Sequence, residues 1–255
     1  MIGNTAFWSG DLAQARTKLE IAVELAVRDA ADPPLLSAYG QDPEVTNRGI
    51  LSWALCFQGR FEDARAQAAR AVERAEALEH PFTMAFACGA SMWVHAYQRH
   101  AEGAKQWAER TLELSRRRGF TYFETAAAIA HGWACAALGD ARAGVREIER
   151  ALERWRATGQ TIGLQLFQLM LADACLLGER VDEARAALAD PILNNRGSAE
   201  GWIEPLLHCL RAEASLAARA PDAEDVLREA LAFARERGAQ LIVDRLSARR
   251  QASAL

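Results

Sequence analysis

The sequence predicts an all-α fold, a right-handed α-solenoid of about six helical hairpins with a period of about 40 residues and a C-terminal capping helix. The first observation behind this prediction is a gapless alignment of the segments that begin at Trp53, Trp93 and Trp133, which follow one another at a constant step. The second is a triplet of small residues in each segment. The third is a turn, usually containing glycine, five residues before the triplet. Each unit is therefore expected to be a helix, a tight turn and a second helix.

The small-residue triplets predict the packing face of the second helix in each hairpin. Their members are spaced by four and three residues, which places them on one side of a helix where a neighbouring helix can approach closely. The triplets are Ala15, Leu19, Ala22; Ala64, Ala68, Ala71; Ala104, Ala108, Thr111; Gly144, Ile148, Ala151; Ala184, Leu188, Pro191; and Ala223, Leu227, Ala230. The preceding turns contain Gly10, Gly59, Gly139 and Gly178, the last with one residue inserted. Glycine suits these turns because it readily adopts the left-handed conformation that ends a helix.

The predicted units lie within a single repeat domain that spans residues 1–255. Their approximate limits are 1–29, 43–78, 81–118, 120–158, 161–192 and 200–238, followed by a cap at 239–252. Asp42 and Pro43 predict the start of a helix, with aspartate as the N-cap and proline in the first turn. Only about seven residues of the first predicted helix precede Gly10, roughly half of the length of this helix in the other units. We therefore expect the chain to be a module of a larger protein.

The turn and the spacing of small residues resemble the tetratricopeptide repeat, whose usual period is about 34 residues. The unit here is six residues longer, and three extra residues per helix add about 4.5 Å without changing how pairs stack. HEAT-type repeats have periods nearer the length found here and are the structural alternative. The sequence GRFEDA, which begins at Gly59, favours the tetratricopeptide interpretation.

Four further segments resemble one family more specifically. They are YGQDP at 39–43, HPFTMAFA at 80–87, GWA at 132–134 and WRATG at 155–159. These are similar to the tetratricopeptide-like region found C-terminal to the ATPase in bacterial proteins that join a class III adenylyl/guanylate cyclase, or a kinase, to a signalling ATPase. The resemblance runs from about Gly3 to Arg249 and implies a sensing or partner-binding arm. It implies no enzymatic activity, because no GxxxxGK[ST] phosphate loop or cyclase segment is present.

Composition and motif content exclude several other classes of protein. The 30 basic and 34 acidic residues give a net charge of −4, which disfavours a nucleic-acid or membrane-surface binder. Neither an apolar run long enough to span a bilayer nor a signal-peptide pattern occurs, so the chain is expected to be cytoplasmic. Five cysteines without CxxC and five histidines without HExxH predict neither a metal nor a cofactor. Without a nucleophile elbow or dinucleotide loop, the chain is not expected to be an enzyme.

A row of aromatic residues is the strongest candidate for a binding face. Trp53, Trp93 and Trp133 each stand six residues before the turn, and helical geometry directs them away from the second helix, toward the concave surface. The candidate concave-face residues are Trp53, Phe57, Trp93, Tyr97, Trp133, Gln168 and His208. Adjacent helices about 8–10 Å apart would leave slots between these rings for a peptide side chain or a flat ligand. Alternatively, a tightly curled array would pack the rings as core.

The first step of the repeat is nine residues longer than the others, and the extra residues fall between 30 and 41. Tyr39 and Gln41 in this stretch would either contact a ligand or hold the loop in place. The expected function is a non-catalytic protein-interaction or sensory arm of a larger bacterial signalling protein, whose partner is a protein, a peptide or a catalytic domain of the same parent. The alternatives are a small-molecule receptor with an internal pocket and a regulatory spacer. A closed cavity of about 300–1,000 Å³ would favour the receptor.

Overall fold

The structure is a computed structural model and describes residues 2–28, 40–194 and 200–253. The described helices are α1 (Ile2–Trp8), α2 (Leu12–Arg28), α3 (Pro43–Phe57), α4 (Phe61–Leu78), α5 (Pro81–Tyr97), α6 (Ala101–Arg118), α7 (Thr121–Ala137), α8 (Ala141–Ala157), α9 (Leu164–Leu177), α10 (Val181–Leu188), α11 (Glu204–Ala217), α12 (Ala223–Glu236) and α13 (Gln240–Ser253). Two short 3-10 helices, Pro191–Asn194 and Gly201–Ile203, lie between α10 and α11. The described ranges contain helices and no strand, which confirms the all-α prediction.

Consecutive helices pair as hairpins, and each hairpin turns at a residue in the left-handed conformation. These residues are Gly10, Gly59, Arg99, Gly139, Glu179 and Arg219. From Gly59 onward they follow one another at the same unbroken step as the tryptophans. The insertion predicted at Gly178 is therefore wrong: Gly178 has a φ of −91°, and Glu179 takes the left-handed place with a φ of 57°. Glycine at 178 serves close packing instead, since a Cβ there would lie 2.5 Å from Cβ of Ala141.

Small residues let the two helices of a hairpin approach, as the triplets predict. Ala64, Ala68 and Ala71 on α4 are at most 3% exposed. Helices α7 and α8 approach closely, so that a Cβ on Gly144 would lie only 2.2 Å from the carbonyl oxygen of Gly132. Any side chain at that position would force the hairpin apart.

The start of α3 has the predicted cap. The carboxylate of Asp42 accepts a hydrogen bond of 2.9 Å from the backbone N–H of Val45, and Pro43 is the first residue of the helix. This satisfies one of the backbone donors that the first turn leaves without an intrahelical partner. No helix in the described ranges is both long and apolar enough to cross a membrane.

The array of hairpins curls until its first hairpin meets the segment that precedes its last hairpin. The turn at Gly10 lies against the second 3-10 helix, so that a Cβ on Gly10 would be 2.9 Å from the carbonyl oxygen of Gly201. Helix α13 is the predicted closing helix, with Ile242 and Leu246 buried. It packs on α11 and α12 and also contacts α3, and Gln240 approaches Gly59 in the turn after α3. This helix therefore joins the last hairpin to the second one.

Candidate functional site

The inner face of the array follows one position of the repeat through five hairpins. Trp53, Trp93 and Trp133 occupy equivalent places, each four residues before the last residue of its helix, as predicted. Two further steps of the same length lead to Asp173 on α9 and Glu213 on α11. The row is thus aromatic in its first three members and acidic in its last two.

Of the two alternatives for this row, open slots between separated rings or rings packed as core, the structure shows the second, because rings from other parts of the chain fill the spaces. Trp133 and Phe57 are fully buried, and Trp53 is 8% and Trp93 4% exposed. Curling of the array brings the first helix and the segment before α11 onto the inner face, so Trp202 packs 5.6 Å from Phe57. Ring contacts at such distances are the usual geometry of aromatic core packing.

Five rings form a continuous aromatic wall. Centroid distances are 6.3 Å from Trp53 to Trp8, 5.8 Å from Trp8 to Trp202, 6.1 Å from Trp202 to Tyr97 and 5.9 Å from Tyr97 to Trp93. The planes of the first three pairs are inclined by 68–74°, whereas Tyr97 and Trp93 are stacked. This wall comes from four separate elements, α1, α3, α5 and the second 3-10 helix.

The aromatic wall encloses what we call the aromatic cavity, which has two adjoining lobes. The first lobe is about 200 Å³ and is lined by Trp8, Trp53, Trp93, Tyr97, Tyr122, Ile162, Gly163, Leu166, Glu200 and Trp202. The second lobe is about 220 Å³; it shares Trp8, Trp53, Trp93, Tyr122 and Ile162 and adds Gln41, Phe82, Phe86, Gly89, Met92, Thr111, Phe123 and Ala126. Ile162 is 64% exposed, so it marks the place where the cavity meets solvent.

A few polar groups face this apolar space without a partner. The backbone N–H of Gly163 donates to one oxygen of Glu200 at 3.2 Å, but Oε2 of Glu200 has no hydrogen-bond partner. Nε1 of Trp202 and Oε1 of Gln41 also lack partners. Burial raises the pKa of Glu200, and the Gly163 hydrogen bond opposes this only in part. Burial, with the charge of Glu200 adding to it, raises the pKa of Tyr122 to about 12, so this phenol stays neutral.

A buried charge network occupies the acidic end of the inner face. Asp173, which is almost fully buried, accepts from Nε1 of Trp133 at 2.8 Å, from Nη1 of Arg99 at 2.9 Å and from Nη2 of Arg245 at 2.7 Å. Arg245 also donates from Nε to Glu213 at 2.8 Å. Arg245 belongs to α13, so these ion pairs fasten the closing helix to α9 and α11. Asp173 and Glu213 could have been found in the sequence by continuing the constant step of the repeat beyond Trp133.

Electrostatic forces favour the charged form of this network. Burial alone would raise the pKa of Asp173, but the guanidinium groups of Arg245 and Arg99 outweigh it and hold the pKa at about 2. The pKa of Arg245 is raised because Asp173 and Glu213 outweigh its own burial. Arg99 additionally lies 5.7 Å from the ring centroid of Trp133, a cation–π contact. The network therefore has a structural role, because its carboxylates and guanidinium groups form ion pairs with one another.

Gln168 and His208 do not lie on the inner face where they were predicted. Each precedes the true repeat position, Asp173 or Glu213, by five residues, which turns the side chain by about 140° around the helix. Gln168 lies between α9 and α10 and donates to the carbonyl oxygen of Ala187 at 3.1 Å. His208 stacks on Phe233 at 4.5 Å, and burial lowers its pKa.

His208 lines a separate polar cavity of about 540 Å³. The described residues around it include Gln165, Asn194, Glu200, Glu204, Arg211, Phe233 and Arg237. Most of its charged groups are already engaged: Arg237 pairs with Glu204 at 3.1 Å and Arg211 donates to Asn194 at 3.1 Å. Glu200 forms part of the wall between this cavity and the aromatic one.

Of the two predicted loop contacts, Gln41 lines the second lobe of the aromatic cavity. Tyr39 lies outside the described residues. This position agrees with the interpretation that Gln41 contacts a ligand. Its role in binding stays a prediction.

A cluster that the sequence did not reveal lies between α7 and α8, away from both cavities. Nδ1 of His131 is 2.8 Å from Oε2 of Glu147, and this hydrogen bond raises the pKa of His131. Sγ of Cys135 is 3.8 and 3.9 Å from the two ring nitrogens, so it lies along neither lone pair. The spacing of His131 and Cys135 by four residues was visible in the sequence, but Glu147 joins them only through the hairpin. The geometry is that of a histidine–glutamate ion pair.

The fold and its inner face define a tetratricopeptide-like, all-helical repeat protein. A solved structure similar to it is a Rap protein complexed with the competence and sporulation factor, with a TM-score of 0.65 and 15% sequence identity over 99% of this chain and 74% of that chain. It is one of 17 chains of known structure that are similar. At this identity the similarity shows the fold alone. No protein-family model and no curated protein matches the sequence.

Proposed function

We propose that this chain is a non-catalytic binding arm that accepts a short segment of a protein or peptide partner in the aromatic cavity. The observation that carries the proposal is the cavity itself, with a continuous wall of five rings and unpartnered polar atoms at Glu200 and Gln41. Apolar surroundings with a few fixed polar groups are typical of binding sites. The solved Rap complex supports a binding role for this fold.

The parent context belongs to the same proposal. The four segments that resemble the cyclase–ATPase and kinase–ATPase signalling proteins support an arm that senses or recruits a partner for catalytic domains elsewhere in such a protein. The purified chain itself is expected to leave ATP and GTP unchanged in the presence of Mg²⁺ or Mn²⁺. Turnover that follows the chain through further purification would contradict this part of the proposal.

The test of partner binding is a selection of random peptides on the purified chain, followed by calorimetric titration of the selected peptides. Trp8 is half-buried and lines both lobes, so Trp8→Leu is expected to weaken binding about tenfold or more, as loss of an interface tryptophan does. Trp107 on α6 is also half-buried but lines neither lobe, and Trp107→Leu is the matched control. Selected peptides that bind wild type and Trp8→Leu equally would refute the proposed site.

A second function, a receptor for a small polar molecule, is supported by the polar cavity. Its volume of about 540 Å³ lies in the range typical of ligand pockets, whereas each aromatic lobe is smaller. Native mass spectrometry of the purified chain would detect a retained metabolite. His208→Leu should then abolish its retention while Trp8→Leu should not, because Trp8 lies only on the aromatic side.

A further inference from the structure

We propose that the aromatic cavity recognises an organic cation, the head group of a lysine or arginine side chain, with Glu200 as its counter-charge. This inference rests on the proposed function and names the side chain that the partner would insert. The same chemistry could reach the cavity as a free alkylammonium compound, and the experiment below separates the two sources.

The first argument is the unpaired carboxylate. Oε2 of Glu200 is buried and has no hydrogen-bond partner, although this residue lines an otherwise apolar lobe. An isolated buried carboxylate is costly, and a neutral apolar occupant would leave that cost in place. A cationic donor would remove it. Among the described residues that line the two lobes, none is basic. The arginines that line the polar cavity on the other side of Glu200 have other partners, Arg211 with Asn194 and Arg237 with Glu204.

The second argument is the arrangement of the rings. The faces of aromatic rings carry negative potential and attract cations placed within about 6 Å, with tryptophan the strongest. Trp8, Trp202 and Tyr97 meet at angles of 71–74° and centroid distances of 5.8–6.1 Å. Rings inclined in this way enclose a space from several sides. A carboxylate beside such a cage selects a cation over a neutral group of the same shape.

The third argument is size and polarity. Each lobe, at about 200 or 220 Å³, is smaller than the pockets that enclose whole drug-sized ligands. One side-chain head group suits this space better than a complete metabolite. Oε1 of Gln41 is a second acceptor without a partner, in the adjoining lobe. Two free acceptors against one free donor, Nε1 of Trp202, favour an occupant that mainly donates hydrogen bonds, as ammonium and guanidinium groups do.

The first experiment compares small probes that have short alkyl chains and head groups of different charge. Tryptophan fluorescence of the full chain is titrated with n-butylammonium, n-butylguanidinium, 1-butanol and butyrate. We expect each of the two cations to bind at least about tenfold more tightly than 1-butanol. Butyrate should bind most weakly of the four. Equal binding of the cations and 1-butanol, or no binding of the cations up to molar concentration, overturns the inference.

Two variants locate the effect. Glu200→Gln preserves the shape of the side chain and removes its charge. Butylammonium and 1-butanol should therefore bind this variant with about equal affinity. Glu153→Gln makes the same change on the exposed face of α8 and should leave the preference unchanged. A preference that survives in Glu200→Gln overturns the inference. If Glu200→Gln failed to fold, the wild-type comparison of cation with alcohol would still decide.

Short peptides separate this inference from the proposed function. The peptides are acetyl-Ala-Lys-Ala-amide and its norleucine analogue, which has a similar side chain without the charge. Tighter binding of the lysine peptide supports both proposals. Binding of butylammonium without either peptide supports the cation site and refutes the peptide function. Equal binding of the two peptides overturns the cation site while the peptide function stands.

Discussion

Removal of one buried charge, Asp173→Asn, tests how the closing helix is held. The substitution keeps the size of the side chain and an oxygen that can accept from Nε1 of Trp133. It removes the negative charge that Arg245 and Arg99 approach at 2.7 and 2.9 Å. The change therefore isolates the electrostatic contribution of the network from its packing.

The expected magnitude follows from the pKa. The carboxylate of Asp173 has a pKa of about 2 against an ordinary 3.8, and a difference of nearly two units corresponds to about 2 kcal/mol of stability at neutral pH. Breaking a buried ion pair by removing one partner costs about 3–5 kcal/mol when the other charge is stranded. Arg245 keeps Glu213 as a partner, so we expect the lower figure. For a chain of this length, about 2 kcal/mol lowers the melting temperature by about 5 °C.

The assay is urea unfolding followed by circular dichroism at several pH values. A carboxylate with a lowered pKa contributes stability that is present above its unfolded-state pKa, near 4, and is lost as the pH falls through about 2. The deficit of Asp173→Asn should therefore shrink as the pH is lowered from about 5 to about 2. Asp182→Asn, on an exposed position of α10, is the control and should change little. A deficit at neutral pH below about 0.5 kcal/mol, the range of ordinary surface substitutions, would refute this reasoning. A deficit that does not depend on pH would refute it equally.

Three smaller predictions concern the hairpins. Gly144→Val would clash with the carbonyl oxygen of Gly132, 2.2 Å from the new Cβ, and should lower the unfolding free energy by about 2–3 kcal/mol; normal stability would disprove the close approach. Glu179→Gly should raise stability by about 1 kcal/mol, because Glu179 holds a left-handed φ of 57°; a lower melting temperature would count against this. The pKa of His131 is raised by Glu147, so its stabilising contribution is full below its ordinary pKa and fades as the pH rises through the raised value. In Glu147→Gln, NMR titration should show a lower His131 pKa, and an unchanged value would exclude the ion pair.

The fold was predictable because a repeat imposes the same packing requirement many times. A constant step between units, small residues on one helix face and a turn before them were sufficient to place the hairpins. Where one of these signals weakened, the prediction failed locally. At Gly178 the glycine was mistaken for the left-handed residue, because glycine is equally suited to close helix contacts and to positive φ.

The site was less predictable, since it depends on how tightly the array curls. The row of Trp53, Trp93 and Trp133 was found correctly, but the rings that fill the space beside it, Trp8 against Trp53 and Trp202 against Phe57 and Tyr97, come from outside the repeat positions. No spacing rule connects residues 8 and 202. Glu200 could not be predicted for the same reason, because a single glutamate before a helix forms no sequence pattern that indicates a cavity.

Closure by α13 limits what the inner face can bind. At the acidic end of the row, Asp173 and Glu213 are occupied by Arg245, so a partner could reach them only by displacing the closing helix. The aromatic end keeps its cavity, and exposed Ile162 marks where that cavity meets solvent. An extended peptide laid along all the hairpins would need both ends free. For the proposed function, this closure favours recognition of one or two inserted side chains, and most of the affinity should come from that anchor, as it does at interface hot spots.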